Sequence, residues 1–110
     1  MKVHLISKQT VEDFILENAR SKTSFGIWYA ILKLADWSEP NDMIMTFSSA
    51  DLLGNGTDRI VFNVGGNNYR IICKYHFGEA RVHLFIKWIG THAEYTKLCN
   101  GGKQFGVSSY

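Results

Sequence analysis

Apolar positions in the first 35 residues follow the period of a strand and then that of a helix. Residues 2–6 alternate, with β-branched side chains among them, and predict a first strand. A helix that begins at Ser7 or Thr10 would place four apolar residues on one face: Val11, Phe14, Ile15 and Ala19. Beyond a break near Ser21, a second stripe holds Phe25, Trp28, Leu32 and Ala35. The pattern predicts an amphipathic two-helix hairpin packed on a sheet.

Residues 38–56 are rich in turn-forming residues and include the only proline, Pro40. They predict a surface connection, with a helical turn near residues 48–52. The chain then alternates again in three segments, which are residues 59–64, 69–77 and 81–89. Short turns at 65–68 and 78–79 join these segments, so we expect antiparallel neighbours.

Each of the three predicted strands has one apolar face for the helices and one face that bears cations. The apolar face of the last strand comprises Val82, Leu84, Ile86 and Trp88. The opposite face of the sheet collects Arg70, Lys74, Arg81 and Lys87, with Phe85 and His83 available for base stacking. Such a face suits single-stranded RNA, but it is equally typical of any open antiparallel sheet with its polar side in solvent.

A short helix is predicted after Gly90. Thr91 can cap it, and Glu94 lies at the third helical position, where it completes a capping box. The fold class is therefore α+β: an N-terminal strand, a helix hairpin on a mainly antiparallel sheet, and a short C-terminal helix. We divide the chain into one domain, residues 1–98, and a loose glycine-rich tail, residues 99–110.

Composition restricts the classes of protein that the chain can represent. It has 110 residues, 45% of them hydrophobic, which fits one small domain with its own core. No apolar run reaches the length of a membrane span or signal peptide, and Cys73 and Cys99 lie far apart. These features predict a cytoplasmic protein without a disulfide framework or a zinc site. The four histidines, at positions 4, 76, 83 and 92, have no metal-ligand spacing either.

The net charge of +2 is divided unequally along the chain. Residues 1–58 carry five Lys/Arg and eight Asp/Glu, whereas residues 59–110 carry seven and two. The basic half favours a polyanionic partner, the alternative being chance clustering on a solvated surface.

Candidate chemistry is concentrated in residues 87–97, which contain two lysines, a histidine, a glutamate and a tyrosine. Cleavage of RNA without a metal needs a proton acceptor, a proton donor and cations that hold the phosphate. His92 lies in the first turn of the predicted helix, and Tyr95 follows on the same helical face. Structural roles are the alternative for both residues: an idle histidine and a half-buried core tyrosine.

Three blocks of the sequence resemble the HigB family of toxins, within the RelE-like superfamily. They are residues 35–37 (ADW), residues 59–70 (RIVFNVGGNNYR) and residues 85–95 (FIKWIGTHAEY). The resemblance implies an endonuclease that cuts mRNA in the ribosomal A site by attack of a 2′-hydroxyl on the adjacent phosphate. It implies no metal or other cofactor. It also implies a cognate HigA-like antitoxin, which is a helix-turn-helix DNA-binding protein. The toxin would then contact DNA only through the antitoxin.

The resemblance also suggests roles for individual residues. The catalytic candidates are Arg70 and Lys87 as phosphate-binding cations, with His92 and Tyr95 for proton transfer or base stacking. The candidates for contacts with mRNA or ribosomal RNA are Arg59, Asn63, Asn68, Lys74, Arg81 and Lys97. Thr96 departs from the family, in which we expect an acidic residue after the tyrosine. Two alternatives stay open. One is a module that binds RNA or antitoxin without cleaving RNA, and the other is a domain that interacts with an acidic protein.

Two surfaces are candidates for the antitoxin. An acidic antitoxin segment could neutralise the Lys/Arg face of the sheet, or the antitoxin could dock on the apolar helix hairpin around residues 25–34.

Overall fold

The computed structural model describes residues 1–110 and consists of one five-stranded sheet with helices on both faces. The strands are β1 (Lys2–Ile6), β2 (Asp51–Leu52), β3 (Arg59–Val64), β4 (Tyr69–Phe77) and β5 (Arg81–Thr91). The α-helices are α1 (Lys8–Glu17), α2 (Lys22–Leu34), α3 (Pro40–Thr46) and α4 (His92–Asn100). Short 3-10 turns lie at Ala19–Ser21 and Lys103–Phe105.

The strand order is β1-β5-β4-β3-β2. All neighbouring pairs are antiparallel except β1 and β5, which run parallel. A parallel pair needs a long crossover, and the helices between β1 and β5 lie within that crossover. The predicted α+β class is confirmed, with its N-terminal strand, mainly antiparallel sheet and short C-terminal helix.

The helix hairpin covers one face of the sheet, which we call the inner face. Phe25, Trp28 and Leu32 of α2 are fully buried, and the ring centroid of Trp28 lies 5.5 Å from that of Phe62 in β3. Val11 of α1 joins the same core. Because each strand alternates, the other face, which we call the outer face, carries Arg70, Lys74 and His76.

The connection between α2 and β3 differs from the prediction. Its helix lies at Pro40–Thr46, and residues 47–50 form only a single turn, in which the N–H of Ala50 donates to the carbonyl oxygen of Phe47 (2.9 Å). Asp42 explains the earlier start, because its carboxylate accepts hydrogen bonds from the backbone N–H groups of Ser38 (2.8 Å) and Glu39 (3.2 Å). Residues 51–52 instead extend along β3 as the edge strand β2.

The alternation of β5 is interrupted by a β-bulge, so the prediction that Trp88 faces the core is wrong. Ile72 pairs with Trp88 and the next residue, Cys73, pairs with Ile86, which leaves Lys87 as the extra residue. The extra residue reverses the phase of the strand. Ile89 therefore takes the next core position, and Trp88 moves to the outer face.

Residues 101–110 cross the outer face after α4, which itself continues beyond residue 98 to Asn100. The guanidinium of Arg59 donates to the carbonyl oxygens of Gln104 (3.2 Å) and Val107 (2.7 Å). The N–H of Ser109 donates to the carbonyl oxygen of Lys87 at the bulge (2.8 Å). The division of the chain at residue 98 stays a prediction.

Candidate active site

Arg70 lies at the base of a pocket between the outer face and α4, and its side chain is only 6% exposed. Nη1 donates to the carbonyl oxygen of Tyr69 (3.0 Å), and Nη2 donates to Oδ1 of Asn67 (2.7 Å). Neither ion pair of the molecule, Met1–Asp36 or Lys8–Glu12, involves Arg70. Its positive charge is thus buried among neutral partners.

His92 is the first residue of α4 and contacts Arg70 directly. Nη2 of Arg70 lies 3.0 Å from Nδ1 of His92. A guanidinium can only donate, so Nδ1 accepts and the neutral imidazole carries its hydrogen on Nε2. The backbone N–H of His92 donates to the carbonyl oxygen of Asn68 (3.0 Å), which fixes the start of the helix against the β3–β4 turn.

The start of α4 is defined by the predicted capping box. Glu94 N–H donates to Oγ1 of Thr91 (3.2 Å), and Thr91 N–H donates to Oε1 of Glu94 (2.8 Å). These bonds satisfy N–H groups that the helix leaves without partners. Both side chains therefore have the structural role proposed for them.

Tyr95 lines the pocket one turn along α4. Its ring centroid lies 6.0 Å from that of Trp88, so the bulge in β5 supplies the surface on which Tyr95 packs. Burial raises the pKa of the Tyr95 phenol well above its ordinary value, and hydrogen bonding to Cys99 and the charge of Asp51 act in the same direction. The phenol stays protonated at neutral pH and can donate a hydrogen bond but not act as a base.

The pocket has a volume of about 280 Å³ and a lining drawn from β2, β3, β4 and α4. Its lining residues are Asp51, Val61, Asn63, Arg70, His92, Tyr95, Thr96, Cys99 and Asn100. Asn63 pairs with Arg70 across β3 and β4, and Asp51 pairs with Val61 across β2 and β3. The structure thus brings together four of the predicted residues: Asn63, Arg70, His92 and Tyr95.

The other predicted residues lie outside this pocket. Lys87 is half-buried at the bulge and lines a separate depression with Phe85 and Tyr110. Arg59, 8% exposed, lies beneath the C-terminal residues. Lys74, Arg81 and Lys97 are exposed, and Asn68 lies in the β3–β4 turn. Their RNA contacts stay predictions.

Sequence reasoning missed two residues of the site. Asn67 was interpreted only as a turn residue, yet it accepts a hydrogen bond from Arg70. Asp51 lay in a segment predicted as a surface connection, and only its pairing with β3 brings it to the pocket. β2 comprises only two residues, which are too few for an alternation of apolar and polar positions to predict a strand.

No group of three or more His, Cys, Asp or Glu side chains in the chain is arranged to hold a metal ion. None of the helices combines the length and the apolar composition that crossing a membrane requires.

The fold and the pocket define a small α+β protein with a site between its sheet and its last helix in which a buried arginine contacts a histidine. The family model HigB_toxin, described as a RelE-like toxic component of a toxin–antitoxin system, matches residues 21–98. The chain belongs to this family, and the resemblance found in its sequence is confirmed.

Similar proteins carry the same family name. The chain is 33% identical over 96 residues to the mRNA interferase HigB of Escherichia coli O6:H1 (strain CFT073), a match that covers 87% of this chain and 91% of that protein. It is 26% identical over 93 residues to the mRNA interferase toxin HigB of Escherichia coli K12, covering 84% and 88%. These matches extend over nearly the whole of each relative.

Proposed function

We propose that this protein is the toxin of a toxin–antitoxin pair and acts in the cytoplasm as an endonuclease that cuts mRNA on the ribosome. The names of its relatives, mRNA interferases, support the choice of RNA as substrate. The observation that carries the proposal is the buried guanidinium of Arg70, which has no carboxylate partner. Buried charges are normally paired, so a bound phosphate is the natural counter-charge.

Arg70 would bind the phosphate with the N–H groups that it does not already use. Three of its five N–H donors bond to Tyr69, Asn67 and His92, which leaves two. In the reaction the 2′-oxygen forms a bond to phosphorus and the bond from phosphorus to the 5′-oxygen breaks. Negative charge develops on the phosphate oxygens, where the guanidinium stabilises it.

His92 supplies the proton to the departing 5′-oxygen. In the free protein its Nδ1 accepts a hydrogen bond from Nη2 of Arg70. When the phosphate, held by the two unused donors of Arg70, draws this Nη2 donor as well, Nδ1 is released and takes up a proton from solvent. The imidazolium formed beside the phosphate is a suitable general acid.

Asp51 is the base that fits the remaining step. Tyr95 is kept protonated, and His92 serves as the general acid for the leaving oxygen, so neither is available as the base. Asp51 is the one carboxylate in the pocket lining, so it is our candidate to accept the proton of the 2′-hydroxyl. Tyr95 and Trp88 then position the nucleotide by hydrogen bonding and stacking.

The antitoxin, which we propose to be HigA-like, docks on the helices rather than in the pocket. Ile27, Ile31 and Leu34 of α2 are 59%, 40% and 80% exposed and recur at helical spacing. An exposed apolar stripe of this kind is typical of a binding surface for a partner. The Arg70 pocket lies on the opposite face of the sheet.

The test is mRNA integrity in a reconstituted translation reaction, mapped by primer extension, with a ribosome-free control. The wild type is compared with His92→Asn, which keeps an acceptor for Arg70 but cannot be protonated. We expect ribosome-dependent cuts by the wild type and a rate about 10²–10⁴-fold lower for the variant. Intact mRNA in every reaction would exclude the nuclease and favour a module that only binds.

A further inference from the structure

Three histidines lie side by side across the outer face, near the end of the sheet remote from Arg70. His83 of β5 pairs with His4 of β1 on one side and with His76 of β4 on the other. Ring centroids are 5.9 Å apart for His4 and His83 and 6.2 Å for His76 and His83, whose rings are stacked 17° from parallel. We call these residues the histidine row.

Cations flank the histidine row on both sides. Lys2 and Arg81, a cross-strand pair, lie two residues from His4 and His83 on the same face, and Lys74 lies two residues from His76. A depression of about 350 Å³ opens beside the row, lined by Lys2, Val3, His4, Ala80 and Arg81. The cationic members of that lining can surround a phosphate.

Negative groups near the histidine row compensate these cations only in part: Asp36 interacts with Lys2, and Asp58 lies close to Tyr75, which separates Lys74 from His76 in β4. Asp36, which lies opposite Lys2, is bonded to the N-terminal ammonium of Met1. Glu79, in the turn between β4 and β5, forms no ion pair. Tyr110, near the C-terminus, lines a depression together with Phe85 and Lys87.

The row also offers surfaces for nucleotide bases. Phe85 is 36% exposed, and its ring centroid lies 6.4 Å from that of His83. Aromatic and imidazole rings on an exposed sheet are the usual stacking platform for unpaired bases. Nδ1 of His83 is buried without a hydrogen-bond partner, so this ring is not bonded into the fold on that side.

We propose that the histidine row, with Lys2 and Arg81, is a second contact surface for single-stranded RNA and that it takes up protons when RNA binds. A phosphate bound beside the row attracts the imidazolium form of its side chains, so RNA binding and protonation favour each other. The proposal shares with the proposed function only its ligand, RNA.

The position of the row suits RNA that also occupies the pocket. His76 lies six positions beyond Arg70 in β4, a distance of about 20 Å along the strand. A strand of ~12 nucleotides, within the usual range of single-strand binding sites, can reach both surfaces. The row would then hold RNA that flanks the cut.

The test is the affinity for a fluorescent RNA strand of ~12 nucleotides whose 2′-O-methyl groups prevent cleavage, measured by anisotropy near pH 6 and near pH 8. The variant H4N/H76N changes two exposed residues and keeps the half-buried His83. K33Q, which removes a cation from α2, is the control.

We expect the wild type and K33Q to bind about tenfold more tightly near pH 6 than near pH 8, and H4N/H76N to lose most of that gain. Equal pH dependence in all three proteins would overturn the proposal, as would a wild type that binds no RNA. The same variants in the primer-extension reaction separate the two proposals. If the wild type cuts mRNA but its RNA affinity does not depend on the histidine row, only the proposal for the row is contradicted. If RNA affinity depends on the row but mRNA stays intact, only the proposed nuclease function is contradicted.

Discussion

Asn67 accepts a 2.7 Å hydrogen bond from Nη2 of Arg70, the same nitrogen that contacts His92. A neutral amide therefore occupies the position beside Arg70 at which a carboxylate would form an ion pair. Asn67 holds the guanidinium without cancelling its charge, which the proposed function requires for binding a phosphate.

Replacing Asn67 by aspartate is expected to disable the site while leaving the fold intact. The new carboxylate would pair with Arg70 and compete with the phosphate, so we expect mRNA cleavage to fall by about 10²-fold. The melting temperature should stay unchanged or rise. Asn41→Asp adds the same charge at an exposed position of α3, outside the pocket, and should retain most activity. Equal losses in both variants would contradict the special role of position 67.

Asp51→Asn tests the proposed base. Loss of a group that accepts a proton lowers the rate by about 10²–10⁴-fold, whereas binding of uncleavable RNA should persist. Single-turnover cleavage and anisotropy on the same preparation separate these effects. Asp58→Asn, an exposed aspartate just before β3, is the control and should cut normally. A fully active Asp51→Asn protein would remove Asp51 from the mechanism.

Gly90 is required by the packing of Trp88 on the outer face. A Cβ atom at position 90 would lie 2.5 Å from Cη2 of Trp88 and 3.1 Å from Oε1 of Glu94, which caps α4. We expect Gly90→Ala to lower the free energy of unfolding by about 1–3 kcal/mol. Gly26→Ala is the control, because position 26 in α2 has open space and alanine should stabilise the helix by up to about 1 kcal/mol. Denaturant titration measures both, and a Gly90→Ala protein as stable as the wild type would count against this packing.

Alkaline pH should destabilise the protein, and Tyr95 should contribute. The folded-state pKa of Tyr95 is raised above its unfolded value, so its contribution is complete below the ordinary tyrosine pKa of about 10 and is lost as pH rises further. Burial raises the pKa of the Cys73 thiol in the same way, and that contribution begins to be lost near the ordinary thiol pKa. We expect Tyr95→Phe to lose less stability than the wild type above about pH 10 in denaturant titrations. Parallel losses would assign the effect to Cys73 and other groups.

The proposed antitoxin surface can be separated from the active site by two substitutions. Ile31→Glu places a charge in the exposed stripe of α2 and should weaken the complex with the cognate antitoxin by at least about tenfold. Arg70→Ala should bind the antitoxin as the wild type does, because Arg70 is buried on the other side of the sheet. Isothermal titration calorimetry measures both affinities. Weak binding by Arg70→Ala would instead indicate that the antitoxin masks the pocket.

The sequence predicted most of the fold because the pattern and the packing agree over long segments. The helical stripe of Phe25, Trp28 and Leu32 is buried as expected, and the turn at residues 65–68 joins β3 to β4. The predicted positions of elements and side chains were wrong where a local feature interrupts the hydrophobic periodicity. Asp42 begins α3 ahead of the expected turn, and the bulge at Lys87 moves Trp88 to the other face.

Local sequence alone determined the four long strands, the helices α1 and α2 and the capped start of α4, since periodicity and capping act between residues close in the chain. It also brought His92 and Tyr95 onto one helix. Tertiary structure decided which distant residues join them. Strand pairing brings Asp51 and Asn63 to Arg70, and the β3–β4 turn sets Asn67 beside its guanidinium. The burial that leaves Arg70 without a carboxylate partner depends on contacts between distant segments, which no local pattern encodes.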